Sequence, residues 1–251
     1  MANFLHVMPS DIQMTITIYL LGIGFGALFY GPLSDKIGRK PAVLSGMVAG
    51  FIGCILIVFA KSLDLIIIGR LIQGLGASAG ICIATSIIMD VLPDKKQIAY
   101  IGSYLSLFMG ISPLIAPPIG GYLAHLFGWR ACFIALAIYF GVLVLAYIFI
   151  FKETNKSKNK DALKPKIILS NYFTLIKNKT FIIMCICASI PLAWVISYAN
   201  IAPFLFITKF NLTPVIFGWI TLIVGVGNLF GKYSNSFVIK KISLINAIRV
   251  G

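Results

Sequence analysis

Seven apolar segments dominate the chain, near residues 12–33, 41–60, 65–92, 98–124, 131–151, 181–207 and 214–231. Each approaches or exceeds the roughly 20 residues a helix needs to cross about 30 Å of hydrocarbon. In lipid every backbone N–H and C=O must find its partner within the segment, so such runs are helices. The predicted class is an all-α polytopic membrane protein with about seven transmembrane helices. The hydrophobic share of 59% in 251 residues agrees, because a soluble domain of this size could not hide so much apolar surface.

Charge orients the spans. Of the 21 basic residues, 17 fall on the odd-numbered connections and three on the even ones; Arg70 alone lies inside a span. Cytoplasmic loops attract lysine and arginine, so this asymmetry places the odd connections in the cytoplasm and the amino terminus outside. The formal net charge of +14 therefore reads as loops facing anionic lipid, not as a nucleic-acid surface. Met1–Ser10 lacks the basic start of a cleavable signal peptide. All five cysteines lie in apolar runs and read as packing residues, so neither a disulfide framework nor a metal site is expected. No cofactor motif stands out.

The expected domains are a helical bundle over 1–151, a basic linker over 152–180 and a second bundle over 181–251. The linker carries eight lysines. Within it, Ile167–Ile176 reads as a candidate short amphipathic surface helix.

Five groups of residues stand out. The block Gly31-Pro32-Leu33-Ser34-Asp35-Lys36-Ile37-Gly38-Arg39-Lys40 joins two spans. Gly31 and Pro32 are expected to end the first span, and Gly38 to reverse the chain. Arg70 lies about 8 Å inward from the start of its span, where a charge is costly. It either snorkels to the outer surface or faces a watery cavity; Gln73, one turn on, shares its face. Asp90 is about 30 Å further along the same helix and cannot be its partner. It reads as an interfacial residue. Gly110–Gly121 holds Pro113, Pro117, Pro118, Gly120 and Gly121, too many breakers for regular helix bonding, so a kinked, close-packed helix is expected. The sixth span gathers Ser189, Pro191, Trp194, Ser197, Tyr198, Asn200 and Pro203. That set reads as interfacial aromatics, or as a ligand-facing surface at Tyr198 and Asn200. Glycine pairs four apart (Gly22/Gly26, Gly46/Gly50, Gly76/Gly80) suggest close helix contacts.

Together these residues resemble the major facilitator superfamily. Gly31–Lys40 resembles its loop signature, and Arg70-Leu71-Ile72-Gln73-Gly74-Leu75-Gly76-Ala77 resembles the signature of its fourth helix. Gly110–Gly121 is similar to the proline–glycine signature of drug:proton antiporters, with Ala116 where glycine is usual. Phe127–Phe133 and Tyr198–Phe204 look like the bicyclomycin/chloramphenicol-resistance branch of the multidrug exporters.

The resemblance implies two bundles rocking about a midplane site. It implies a conformational latch at Gly31, Asp35, Gly38 and Arg39, and proton coupling at Arg70. Gln73, Ser112, Pro113, Tyr198 and Asn200 would border a drug cavity. The antiporter helix kink would comprise Pro113, Pro117, Gly120 and Gly121. The expected partners are the lipid bilayer, small lipophilic drugs and protons, in the bacterial inner membrane. It also implies an incomplete fold: the Asp35 loop follows the first span here but the second helix in the family, and the chain ends as a ninth helix would begin. No acidic residue lies mid-span. Two further readings stay open. One is a non-transporting fragment or half of a split transporter with a separately encoded remainder. The other is a seven-helix receptor.

Overall fold

The computed structural model describes residues 2–5, 7–155 and 157–241. They form helices α1 (Ala2–Leu5), α2 (Pro9–Ile37), α3 (Arg39–Val58), α4 (Leu63–Val91), α5 (Lys95–Phe127), α6 (Trp129–Ile150), α7 (Pro165–Lys177), α8 (Lys179–Pro203) and α9 (Pro214–Lys241). A π-helical turn, Phe204–Lys209, extends α8 beyond Pro203. Among the described residues four helices are long and apolar enough to cross a membrane: Ser10–Ile37, Arg39–Val58, Leu63–Val91 and Trp129–Ile150. The three remaining expected spans coincide with α5, α8 and α9.

Local chemistry explains the helix ends. The Asp11 carboxylate accepts from the Met8 N–H (2.9 Å) and closes the first turn of α2. Ser62 Oγ accepts from the Leu65 N–H at the start of α4, and Asn178 Oδ1 from the Phe181 N–H (3.2 Å) at the start of α8. Pro165 and Pro214 open α7 and α9, at the position where a missing N–H costs least.

The structure corrects one expectation from sequence. Gly31 and Pro32 do not end the first span; both lie inside α2, which runs on to Ile37, and only Gly38 separates it from α3. Pro32 removes one helical donor, from the carbonyl of Leu28, and that carbonyl is taken up instead by the Tyr172 hydroxyl of α7 (2.6 Å). Helix α5, expected to be kinked and close-packed at Gly110–Gly121, is helical throughout that stretch. The lost donors there are isolated events in a 33-residue helix whose other backbone bonds have no water to compete with them. The close packing expected at that stretch is present. A Cβ on Gly121 would overlap the carbonyl of Pro214, and one on Gly218 would press on Pro117 and Pro118. This is where α5 meets α9.

Helices α2, α3 and α4 form the tightest group, with α6 against α3. Backbones approach at glycine: a Cβ on Gly22 would lie 2.7 Å from the Leu71 carbonyl, and one on Gly76 would strike the backbone of Gly46 and Gly50. Of the expected glycine pairs, Gly80 alone faces open space. The buried apolar core, Tyr30, Ala42, Val43, Ala79 and Ile83, lies toward the Gly38 end of this group. Helix α8 has α7 and the π turn as its chief neighbours, and the chain from α9 to Lys241 continues as one helix. The tail 237–251 reads from sequence as an interfacial segment or the start of another span; its first residues continue α9 to Lys241, and the rest falls outside the described residues.

Candidate functional site

Two charged centres occupy opposite ends of the α2–α4 group. The first surrounds Gly38. Its φ of +111° and ψ of 161° belong to a region that only glycine enters readily. That turn brings the N-terminus of α3 over the end of α2 and leaves room for the Glu153 carboxylate, which a Cβ at Gly38 would overlap. Glu153 accepts from the Arg39 N–H (2.9 Å) and the Lys40 N–H (3.2 Å), and also from the N–H groups of Thr154 and Asn155. It caps α3 from a distance of 114 residues. Partial burial would raise its pKa, but these four donors prevail and hold the carboxyl below its usual range.

Arg39 is the hub of this centre. Its Nε donates to Asp90 Oδ2 (2.8 Å), and its Nη1 to Asp35 Oδ1 (2.6 Å) and Ser34 Oγ (2.6 Å). The guanidinium fork thereby ties the end of α2 to the end of α4. Asp90, read from sequence as merely interfacial, is thus a partner of Arg39. The linker straps the same turn: Asn159 donates its N–H to the Asp35 carbonyl (3.0 Å), and Asn155 Nδ2 reaches the Ser34 and Asp35 carbonyls (3.4 Å each). Tyr172 completes the strap at Leu28. Burial raises its phenol above the ordinary value, so it remains a donor.

The second centre surrounds Arg70 on α4. Its guanidinium lies 4.7 Å from the centre of the Phe133 ring of α6 and 5.7 Å from that of the Tyr19 ring of α2. Nη1 donates to Gln73 Oε1 (3.0 Å). Gln73, only 4% exposed, passes the chain on by donating from Nε2 to Cys54 Sγ of α3 (3.1 Å). Arg70 therefore faces the interior of the bundle and does not reach out to the surface. Four helices thus enclose a cation whose buried Nε has no partner among the described residues.

Nearby, Arg130 serves structure. Its Nε and Nη2 donate to the Val58 and Ala60 carbonyls (2.9 and 2.8 Å), capping the end of α3, and it stacks on Phe4 and Trp129.

The other expected site residues lie elsewhere. Ser112 is exposed on α5. Pro113, Pro117, Gly120 and Gly121 also lie on α5, and the side chain of Pro113 is outside the described residues. Tyr198 and Asn200 are half-buried on α8. Asn200 donates from Nδ2 to the Ile196 carbonyl (3.2 Å), and its Oδ1 is buried without a partner among the described residues. Among the described residues no hydrogen bond or ring contact joins Ser112, Tyr198 or Asn200 to Arg70 or Gln73.

Sequence reasoning missed Tyr19, Phe133 and Cys54 around Arg70, because aromatic and thiol groups in apolar runs look like packing. It missed Glu153 and Tyr172 for a different reason, and here signals existed. Glu153 is one of two acids in a lysine-rich linker, and Pro32 announces an orphan carbonyl in need of a donor.

A model of the Major Facilitator Superfamily matches residues 1–251. A bicyclomycin resistance protein homolog of Haemophilus influenzae is 28% identical over 250 residues, covering 99% of this chain and 62% of its own length. Multidrug resistance protein D of Escherichia coli K12 is 33% identical over 181 residues, covering 72% of this chain and 45% of its own. An uncharacterized transporter of Rickettsia bellii is 28% identical over 236 residues, covering 92% and 57%. The chain spans roughly half to three-fifths of the length of these curated relatives. The signature residues, the helical architecture and the match along the whole chain agree: this protein belongs to the Major Facilitator Superfamily.

Proposed function

We propose that the protein carrying this chain exports small lipophilic drugs across the bacterial inner membrane in exchange for protons. The observation that carries the reading is Arg70: a guanidinium held among α2, α3, α4 and α6, with no partner for its buried Nε among the described residues. A buried cation in a membrane bundle raises the acidity of any group that approaches it, and so biases when a nearby proton is held or released. In this reading Arg70 sets the coupling, and Gln73 fixes its orientation.

The Gly38 centre is the conformational latch, on the cytoplasmic side with the basic linker. Gly31 and Gly38 frame it, and Asp35 and Arg39 supply its charges. Ser112, Pro113, Tyr198 and Asn200 border the drug cavity, and the Pro113, Pro117, Gly120 and Gly121 stretch of α5 prevents proton leak, a role supported by the close approach of Pro117 and Gly121 to α9. The bundles are 1–151 and 181–251, joined by the linker 152–180. The drug-resistance names of the relatives support the substrate class.

The test is accumulation of a lipophilic cationic dye in an efflux-deficient bacterium. Expression should lower accumulation, and collapsing the proton gradient should restore it. Accumulation equal to that of the empty strain overturns the reading.

A second reading has its own support: a transporter completed by a separately encoded segment. Helix α8 exposes Phe181, Met184, Ile186 and Trp194, which are spread around the helix. Efflux by these 251 residues alone would exclude it.

A further inference from the structure

Helix α7 plays no part in the two charged centres except through Tyr172, yet its position is fixed at two points. Tyr172 holds it to the Leu28 carbonyl of α2 (2.6 Å). At its end only Asn178 separates it from α8, whose first turn Asn178 caps.

The first point sets its depth. The apolar part of α2 has 28 residues, about 42 Å at 1.5 Å per residue, against about 30 Å of hydrocarbon. Leu28 lies nine residues, or about 14 Å, from the Gly38 end. With the excess of about 12 Å placed at that end, where Ser34, Asp35 and Lys36 need water, Leu28 sits at the edge of the hydrocarbon. A helix pinned there lies at the level of the lipid headgroups.

Its faces match that level. Ile167, Ile168, Asn171 and Tyr172 turn toward Gly31, Pro32 and Asp35. Leu169, Phe173 and Ile176, four and three residues apart, form a separate stripe that is 71%, 60% and 63% exposed. A shallow groove of about 380 Å³ runs along it, lined by Leu169, Ser170, Tyr172, Phe173 and Ile176. Lys166 and Lys177 border the stripe on one flank, and Lys177 Nζ lies 4.5 Å from the centre of the Phe173 ring. Lys164 is engaged by Asp161 (2.8 Å), whereas neither Lys166 nor Lys177 makes an ion pair among the described residues.

We propose that α7 is an anionic-phospholipid site: its Leu169–Phe173–Ile176 stripe enters the acyl region of the leaflet while Lys166 and Lys177 bind lipid phosphate. An apolar stripe edged by lysines is the pattern of interfacial helices, and bound anionic lipid would hold the strap that closes over the Gly38 turn. Naming this leaflet cytoplasmic rests on the functional reading above; the site itself does not.

The test is hydrogen exchange, resolved by peptide, on the protein in nanodiscs of phosphatidylcholine alone or with added phosphatidylglycerol. Exchange across 165–177 should slow several-fold in the anionic discs. The K166Q/K177Q variant should lose that difference while exchange in α2–α4 stays unchanged, which shows that it is folded. Phe173→Asp should speed exchange in both lipids. Equal exchange in the two compositions overturns the proposal. So does protection that follows protein concentration instead of lipid charge, since a second copy would then cover the stripe. Because nothing here depends on transport, loss of this result and loss of export are separately visible.

Discussion

At the scale of single residues, Gly38 and Glu153 are one device. The backbone at Gly38 occupies a region that costs other residues about 1–3 kcal/mol. The carboxylate it admits satisfies the first N–H groups of α3. Gly38→Ala should therefore lower stability by at least that strain, about 1–3 kcal/mol, in thermal unfolding of the purified protein in detergent. Glu153 makes the same turn sensitive to acid. Its folded pKa is lowered, so its contribution is fully present above the ordinary carboxylate value and is lost as pH falls through the lower folded value. Glu153→Gln should be less stable than the natural protein at neutral pH, and the gap should close on acidification below the carboxylate range. A gap that stays constant with pH would contradict the capping role.

Single elements show how a defect in one helix is answered by another. Pro32 leaves the Leu28 carbonyl without its helical donor, and Tyr172 supplies one from the linker. Tyr172→Phe should cost about 1–3 kcal/mol, the penalty for an unsatisfied acceptor out of water. Pro32→Ala restores the helical N–H, so Tyr172→Phe should cost much less in that background. A double-mutant cycle on unfolding midpoints measures the coupling, and additivity would refute it.

These elements also mark the limits of sequence reading. Helices were legible because lipid leaves the backbone no alternative, and the short helix after Pro165 was legible from its apolar spacing. Pro32 misled because its local meaning, a break, was overridden by a partner 140 residues later. The close-packed glycines Gly22 and Gly76 were legible, whereas Gly80 was not, since spacing cannot say which faces find a neighbour. Arg70 was legible as costly and therefore significant. Its ring partners were not, because nothing in an apolar run distinguishes Tyr19 or Phe133 from ordinary packing.

On the scale of the whole molecule, the two centres sit on the same three helices. Arg39 joins the ends of α2 and α4 at one surface, and Arg70 is enclosed by α2, α3, α4 and α6 toward the other. Rigid helices packed through glycine transmit a rotation from one end to the other, which is how a latch and a coupling site would move together. The close contact of α5 with α9 joins the first half of the chain to its last long helix.

Proton movement driven by drug tests this account most directly. In everted membrane vesicles with an established proton gradient, adding a lipophilic cationic drug should release protons through the natural protein. Arg70→Gln should abolish that release while the protein still binds the drug. Drug export without proton movement, or an Arg70→Gln protein that couples normally, would contradict it.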